Sequence, residues 1–582
     1  MPLPWTIATA LSSVTLRVCA YIFFRFQGTS KVPEANEREG SHSPTGLAAA
    51  SSPYNLRSKD RVNDENEDGP EESDPAQDKT QHILRTVILG IPSPTSAIWT
   101  YFTAAVNILL FIAVVDFVHR GPLWHPSHDL SFARVGYVSD SSAKILVREP
   151  DISKLPIFLS YRKVDGTHND SWKAAGQVTT LSNATDYTYP FTISRLQSET
   201  RYQYALSSNH SGSFETGPSA GQRSSSGRDP FTFLTSSCIK PGFPYNPIAH
   251  PLSIPGMRHL AAWIPELKAH FMLFLGDFIY IDVPKRFGTD AESYRREYRM
   301  VYNSPDWPSV SQDLPWLHVL DDHEIENDWD GNDTGVYQSA VDPWTLYHKS
   351  VNPPAVRPGE PYFSFTQGPA SFFLLDTRRY RSPESAADNN ATSKTMLGED
   401  QLDDLLTWLR KPQSEGVRWK VIASSVPFTR NWRFGDADTW AGYLVERQRV
   451  LEAMWDVGLH GGVGVIIISG DRHEFAATSF PPPAGGKWPI SATVHEFSTS
   501  PLSQFYLPVR TYRQEDEEDV MIKYLPDGNS KFGAIEISSP ETSTQSLLKF
   551  RLFVDGRETW SHLLTSPPPV SGGGRTKDAL WV

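Results

Sequence analysis

Cysteine is almost missing from this chain: 582 residues carry two, Cys19 and Cys238. Cys19 lies in an apolar N-terminal stretch and Cys238 in a polar turn, TSSC. Contexts so different argue against a structural disulfide, so the fold must be held by its core. A positive charge balance is missing as well. Lys and Arg number 54 against 67 Asp and Glu, giving a formal net charge of −13. Phosphate backbones reward clustered Lys and Arg, so no nucleic-acid binding is expected beyond possible use as a substrate. A small phosphorylated molecule stays compatible, because it needs only local positive charge.

What the chain does have is apolar and aromatic mass. Hydrophobic residues make up 39% and aromatics 12%, with 17 Trp. That is enough for a large core, and the length exceeds what one ordinary domain needs. Residues 97–118, AIWTYFTAAVNILLFIAVVDFV, are apolar apart from Asp116 near the end, and are read as a transmembrane helix. Residues 1–26 hold a second apolar stretch, broken by Arg17. It reads as a signal anchor, a cleaved signal or a first span, with an uncleaved span preferred for want of a cleavage site. Residues 27–96 form an acidic loop whose DENEDGPEESDPAQD cannot bury enough apolar surface to order itself.

Beyond residue 120, Asn169, Asn183, Asn209, Asn332 and Asn390 each begin an Asn-x-Ser/Thr sequon. They are candidate glycan acceptors and favour a lumenal or extracellular C-terminal part in the secretory pathway, a vacuole or the cell surface. Residues 129–218 read as short strands, among them Ala143–Val147 and Ile157–Tyr161. Leu196, Thr200 and Tyr202 fit a tyrosine corner, which suggests a fibronectin- or immunoglobulin-like sandwich.

From residue 231 a pattern recurs: a short apolar run ends in a residue able to bind metal. Phe231–Leu234 leads to Cys238, Phe271–Leu275 to Asp277, Leu317–Leu320 to Asp321 and Asp322, Phe372–Leu375 to Asp376, and Val465–Ile468 to Asp471 and His473. Such runs read as strands covered on both faces. Helical stretches, such as Arg258–His270, Asp400–Leu409 and Glu446–Trp455, lie between them. In layered α/β folds ligands gather beyond the carboxyl ends of the strands, so these side chains should share one rim. A single Asp after a strand is more often a cap or turn residue; five such runs together shift the balance. Tyr phenolate and Cys thiolate suit ferric iron, whereas oxygen-only donors suit calcium, manganese or magnesium.

The ordered set TSSC, GDFIY, DDHE, LDTRRY and SGDRH resembles the PhoD-like alkaline phosphatases, within the calcineurin-like metallophosphoesterases. The resemblance runs over 230–565, and 566–582 are left as a flexible tail. It implies a four-layer αββα core and hydrolysis of phosphoric esters by a metal-activated water. It also implies Fe3+ and Ca2+ as cofactors, with Mn2+ or Mg2+ as alternatives at the second position. The implied metal ligands are Cys238, Asp277, Tyr280, Asp322, Asn327, Asp471 and His473. His323 is implied as phosphate contact or general acid, and Arg378 as a phosphate clamp. Two departures make the second site oxygen-rich: Ser424 and Ser425 stand where the superfamily has a His, and Asp471 replaces another. The expected substrate is a phosphorylated small molecule, with a lipid or glycan phosphate as the alternative. A non-catalytic cell-surface interaction protein on the same fold is the alternative of a different class.

Overall fold

The computed structural model describes residues 96–165, 168–224, 229–506, 509–540 and 545–569. The first apolar stretch, the acidic loop up to residue 95 and the tail from 570 lie outside the described residues. Helix α1 runs from Ala97 to Trp124 and is long and apolar enough, by length and composition, to cross a membrane. It continues past the expected end at Val118, with Pro122 inside its last turn.

Eight short strands follow: β1 (Phe132–Val138), β2 (Ser142–Arg148), β3 (Ile157–Asp165), β4 (His168–Asn169), β5 (Lys173–Val178), β6 (Thr188–Ser194), β7 (Arg201–Leu206) and β8 (Ser211–Glu215). One sheet has the order β1-β2-β6, the other β4-β3-β7-β8 with β5 paired to β3. Alternation sets their faces: in β7, Tyr202, Tyr204 and Leu206 are buried while Arg201, Gln203 and Ala205 are not. Those three join Val135, Ile145 and Phe191 in one apolar core. The Gln197 amide donates to the Tyr202 hydroxyl at 2.9 Å, closing the corner between β6 and β7. Asp186, buried, accepts from Arg148 (2.8 Å) and from Arg299 (2.9 Å), which ties this region to the larger one.

The larger region is built on two sheets. Strands β9 (Phe231–Ser236), β10 (Met272–Phe274) and β11 (Trp316–His318) run parallel in the first. The second holds β12 (Phe363–Gln367), β13 (Ala370–Leu374), β14 (Trp419–Ala423), β15 (Gly464–Ser469), β16 (Phe475–Phe480), β17 (Val494–Thr499) and β18 (Val520–Leu525). The chain then returns through β19 (Lys531–Ser538), β20 (Leu547–Val554) and β21 (Arg557–Thr565), giving the first sheet the order β11-β10-β9-β19-β20-β21. The second has the order β12-β13-β14-β15-β17-β16-β18.

The sheets share a core that includes Phe233, Leu273, Phe372, Val421, Ile466 and Phe550. Helices α2 (Pro255–Leu267), α3 (Ala291–Tyr302) and α4 (Tyr337–Tyr347) cover the outer face of the first sheet. Helices α5 (Gly398–Arg410) and α6 (Leu444–Leu459) cover the outer face of the second. Every residue of β9 and β15 is buried, which is why both read as continuous apolar runs. Parallel pairing of β10 with β9 and β11, and of β14 with β13 and β15, brings the carboxyl ends of these strands to one side.

Candidate metal centre

Residues just past those strand ends converge. Carboxylate oxygens of Asp277, Asp321, Asp322 and Asp471 all lie within 4.8 Å of one another. So do ligand atoms of Cys238, Asp277 and His473, and those of Asp277, Asp322 and His323. Asp277 alone belongs to all three groups. The Tyr280 hydroxyl donates to Asp277 Oδ2 at 2.8 Å and lies 2.9 Å from His473 Nε2. Cys238 Sγ sits 3.3 Å from the same Asp277 oxygen.

The backbone is strained to achieve this. Cys238, Asp277, Asp471 and His473 all have positive φ, between 56° and 73°. Side chains other than glycine adopt that region at a cost of about 1–3 kcal/mol each, and such residues cluster at functional sites. Surrounding groups hold the turns. Glu324, fully buried, accepts from the amides of Asp277 (3.0 Å), Phe278 (2.6 Å) and Asp321 (2.8 Å). Ser237 Oγ accepts from the Asp471 amide (3.1 Å), and Ser500 Oγ from the His473 amide (2.6 Å). Gly276, at φ +98°, has no room for a side chain: a Cβ there would stand 2.2 Å from Asp321 Cβ.

The charges conflict unless something positive joins them. At an effective dielectric of 20, two carboxylates 4.8 Å apart repel by roughly 3 kcal/mol. Burial pushes the Asp277 carboxyl well up, and Asp322, Asp321 and Glu324 add to this against the charge of His323. Burial does the same to Asp471 and to the Cys238 thiol. Burial opposes the charge of Asp322 too, but Arg378 and His323 outweigh it and hold its carboxyl below the usual range. Burial, with His323 and Lys531 nearby, depresses His473 to about 3, so its imidazole is neutral and able to coordinate.

One oxygen each of Asp277, Asp321, Asp322 and Asp471 is buried without a hydrogen-bond partner. Such atoms are costly to leave unmatched. A mixed set of carboxylates, thiol, phenol and imidazole therefore fits metal cations on structural grounds.

Other expected site residues lie as follows. His323 stacks on the Tyr280 ring, centroids 4.2 Å apart, and its Nδ1 meets Asp282 Oδ1 at 2.7 Å. Burial works against its charge, but Asp322, Asp277 and Asp282 raise it well above the ordinary histidine range. Asn327 is exposed at the rim; its backbone amide donates to Asp282 Oδ2 (2.7 Å) and its side chain to Asp328 (2.8 Å).

Arg378 needs correction as a phosphate clamp. It is fully buried, with Nε on Asp321 (2.6 Å) and its two terminal nitrogens on Asp438 (2.5 and 3.0 Å). The guanidinium is committed to carboxylates inside the protein, so it organises the acids and is not open to a ligand. Replacing it by Met is expected to cost about 3–5 kcal/mol by leaving buried charges unpaired. Thermal unfolding reads this as a midpoint several degrees lower; an unchanged midpoint would show that the acids do not need it. Asp376 accepts from the amides of Arg378 and Arg379, which is a turn-forming role. Ser425, at the position of the missing His, donates to Asp321 Oδ1 at 2.8 Å.

Sequence reasoning missed Asp282, Asp438 and the backbone-holding role of Glu324. Asp282 carries one signal, its position five residues after Asp277 in GDFIYID; Asp438 carries none. Of the sequons, Asn183, Asn209 and Asn390 are exposed and Asn169 lies in β4. Asn332 is half-buried, and the end of its side-chain amide lies against the carbonyls of Arg379 (2.9 Å) and Arg381 (3.2 Å).

Comparison with known proteins agrees with this fold. A family model described as PhoD-like phosphatase matches residues 254–547. The chain belongs to the PhoD-like phosphatase family, as its motifs implied. Alkaline phosphatase D of Bacillus subtilis (strain 168) is 25% identical over 267 residues, 38% of this chain and 43% of that protein. The chain thus aligns with less than half the length of this curated relative. A solved structure of PhoD has a TM-score of 0.54 at 18% identity, covering 75% of this chain and 88% of that one, a likeness of fold.

Proposed function

We propose that this chain is a membrane-anchored, metal-dependent hydrolase of phosphomonoesters, phosphodiesters or both. The reading is carried by the four clustered carboxylates, each with a buried oxygen that has no hydrogen-bond partner. In it, Cys238, Tyr280, His473 and Asp277 would hold ferric iron. Asp277, Asp322 and Asp471, with Asn327 at the rim, would hold a harder cation, calcium or alternatively manganese or magnesium. Bound metals would supply charge neutralisation at the phosphoryl oxygens and a bound water acidic enough to attack near neutral pH.

The chain's own residues do the rest. Asp282 fixes His323 through Nδ1, which leaves Nε2 to donate to a phosphoryl or leaving-group oxygen. Arg378 keeps Asp322 ionised and Asp321 in position. Around this centre we read the two small sheets as the fibronectin- or immunoglobulin-like sandwich and α1 as the anchor. The catalytic part is then lumenal or extracellular, with Asn183, Asn209 and Asn390 as exposed glycan acceptors.

Assays with p-nitrophenyl phosphate and bis(p-nitrophenyl) phosphate test the reading. Turnover of at least one is expected. Failure on both, after iron and calcium have been supplied, would remove it.

A further inference from the structure

The last nine residues of α1, Asp116–Trp124, pack on loops that lead to the candidate metal centre. Phe117 meets Phe243 edge-on, ring centroids 5.9 Å apart; Phe243 meets Phe505 at 6.0 Å; and Phe505 meets His473 at 5.1 Å. Asp116 accepts from the Tyr245 hydroxyl (2.9 Å), while Arg120 donates to the carbonyls of Pro247 (2.6 Å) and Ala249 (2.8 Å). On another side of the helix, His119 packs on Phe287 at 5.8 Å. These residues therefore contact two loops, 241–250 and 283–287. The first follows Cys238 in the chain, and the second follows Asp282, the partner of His323.

Both loops turn apolar side chains outward. Ile248 is 94% exposed, and at the helix end Leu123 is 72% and Trp124 76% exposed. Val283 and Phe287 are also exposed, and the Lys285 ammonium sits 5.3 Å from the Phe287 ring centroid. Single exposed apolar residues are ordinary. Several on loops joined to one helix end, with a basic residue among them, match the chemistry of a surface that rests on lipid headgroups.

Chain continuity names the occupant. Residues 97–115 carry no charge, and at 1.5 Å per residue they span roughly 28 Å, close to the thickness of a bilayer's hydrocarbon core. Asp116, the first charge after them, opens the segment that packs on these loops.

We propose, resting on the hydrolase reading above, that loops 246–250 and 283–287 lie on the membrane that α1 crosses. The candidate centre then takes its phosphoester from a lipid headgroup of that membrane rather than from bulk solution. The rings of Phe243 and Phe505 stand between Phe117 and His473, so a continuous file of aromatic contacts joins the helix end to the candidate centre. Lys285 meets the headgroup's negative charge, while Phe287 and Ile248 enter the boundary between headgroup and acyl chain.

The test uses the full-length protein in phosphatidylcholine vesicles containing phosphatidic acid or phosphatidylglycerol. Water-soluble dihexanoyl forms of the same headgroups and p-nitrophenyl phosphate are measured beside them. Vesicle lipid is expected to be the better substrate, with a rate that follows its mole fraction in the surface and not its bulk concentration. The double variant Phe287→Ser/Ile248→Ser is expected to lower the ratio of lipid to soluble-ester turnover by about tenfold or more. That ratio is unaffected if some of the variant fails to fold. Equal turnover of vesicle and soluble forms, or a variant that lowers both in proportion, overturns the lipid assignment and leaves the hydrolase standing. No turnover of any ester, with iron and calcium supplied, overturns both.

Discussion

Replacing Asp277 by Ala is expected to lower kcat at least about a thousandfold, because in the proposed reading several kcal/mol of charge stabilisation depend on the metals it would hold. Asp277 is the one residue shared by all three clustered groups, and the Tyr280 hydroxyl and Cys238 thiol both lean on its Oδ2. Its loss should therefore remove both metals together. Asp471→Ala makes the informative comparison, since Asp471 enters only the all-carboxylate group. That variant should keep iron and lose the harder cation. If Asp277→Ala retained both metals and near-native turnover, the shared-carboxylate arrangement would be wrong.

His323→Ala should cost about a hundredfold to ten-thousandfold in kcat, the range associated with a positioned acid–base group. Its charge is held up by Asp322, Asp277 and Asp282 against the effect of burial. A general acid acts while protonated, so activity that depends on it is present below its folded pKa and is lost as pH rises through that value. Asp282→Asn removes one of the charges that raise this pKa. The alkaline limb of the kcat profile should therefore move to lower pH, with the metals still bound. A profile that stays in place while kcat falls would assign Asp282 to loop structure alone.

How much of this was legible in the sequence depended on what kind of constraint fixed each part. The mixed α/β fold with several sheets could be read, because strands buried on both faces leave unbroken apolar runs such as GVIIIS. The candidate ligands could be listed because they follow those runs directly. Lengths were less legible. The run at Phe271–Leu275 holds a strand of only three residues, Met272–Phe274, since Gly276 and the left-handed turn at Asp277 draw the chain out of the sheet, and the strand at Trp316–His318 is equally short.

Long-range pairing was not legible at all. Arg378 looked free beside its motif, but its partner Asp438 is sixty residues away in a loop without any pattern. Left-handed backbone at Cys238, Asp277, Asp471 and His473 leaves no mark on residue type, because tertiary contacts impose it. The apolar run of α1 ends at Val118, where His119 and Arg120 follow. Contacts of Asp116, Phe117 and Arg120 with the 243–249 region accompany the helix onward to Trp124.

The central claim is that these acids form a metal centre. Its most direct test is elemental analysis of the full-length protein purified in detergent, with p-nitrophenyl phosphate turnover followed as chelator is added and metals are returned. The proposed reading expects iron plus a second, harder cation bound per chain, with turnover lost on chelation and regained when both are restored. A folded protein that binds neither metal, before or after reconstitution, would contradict it.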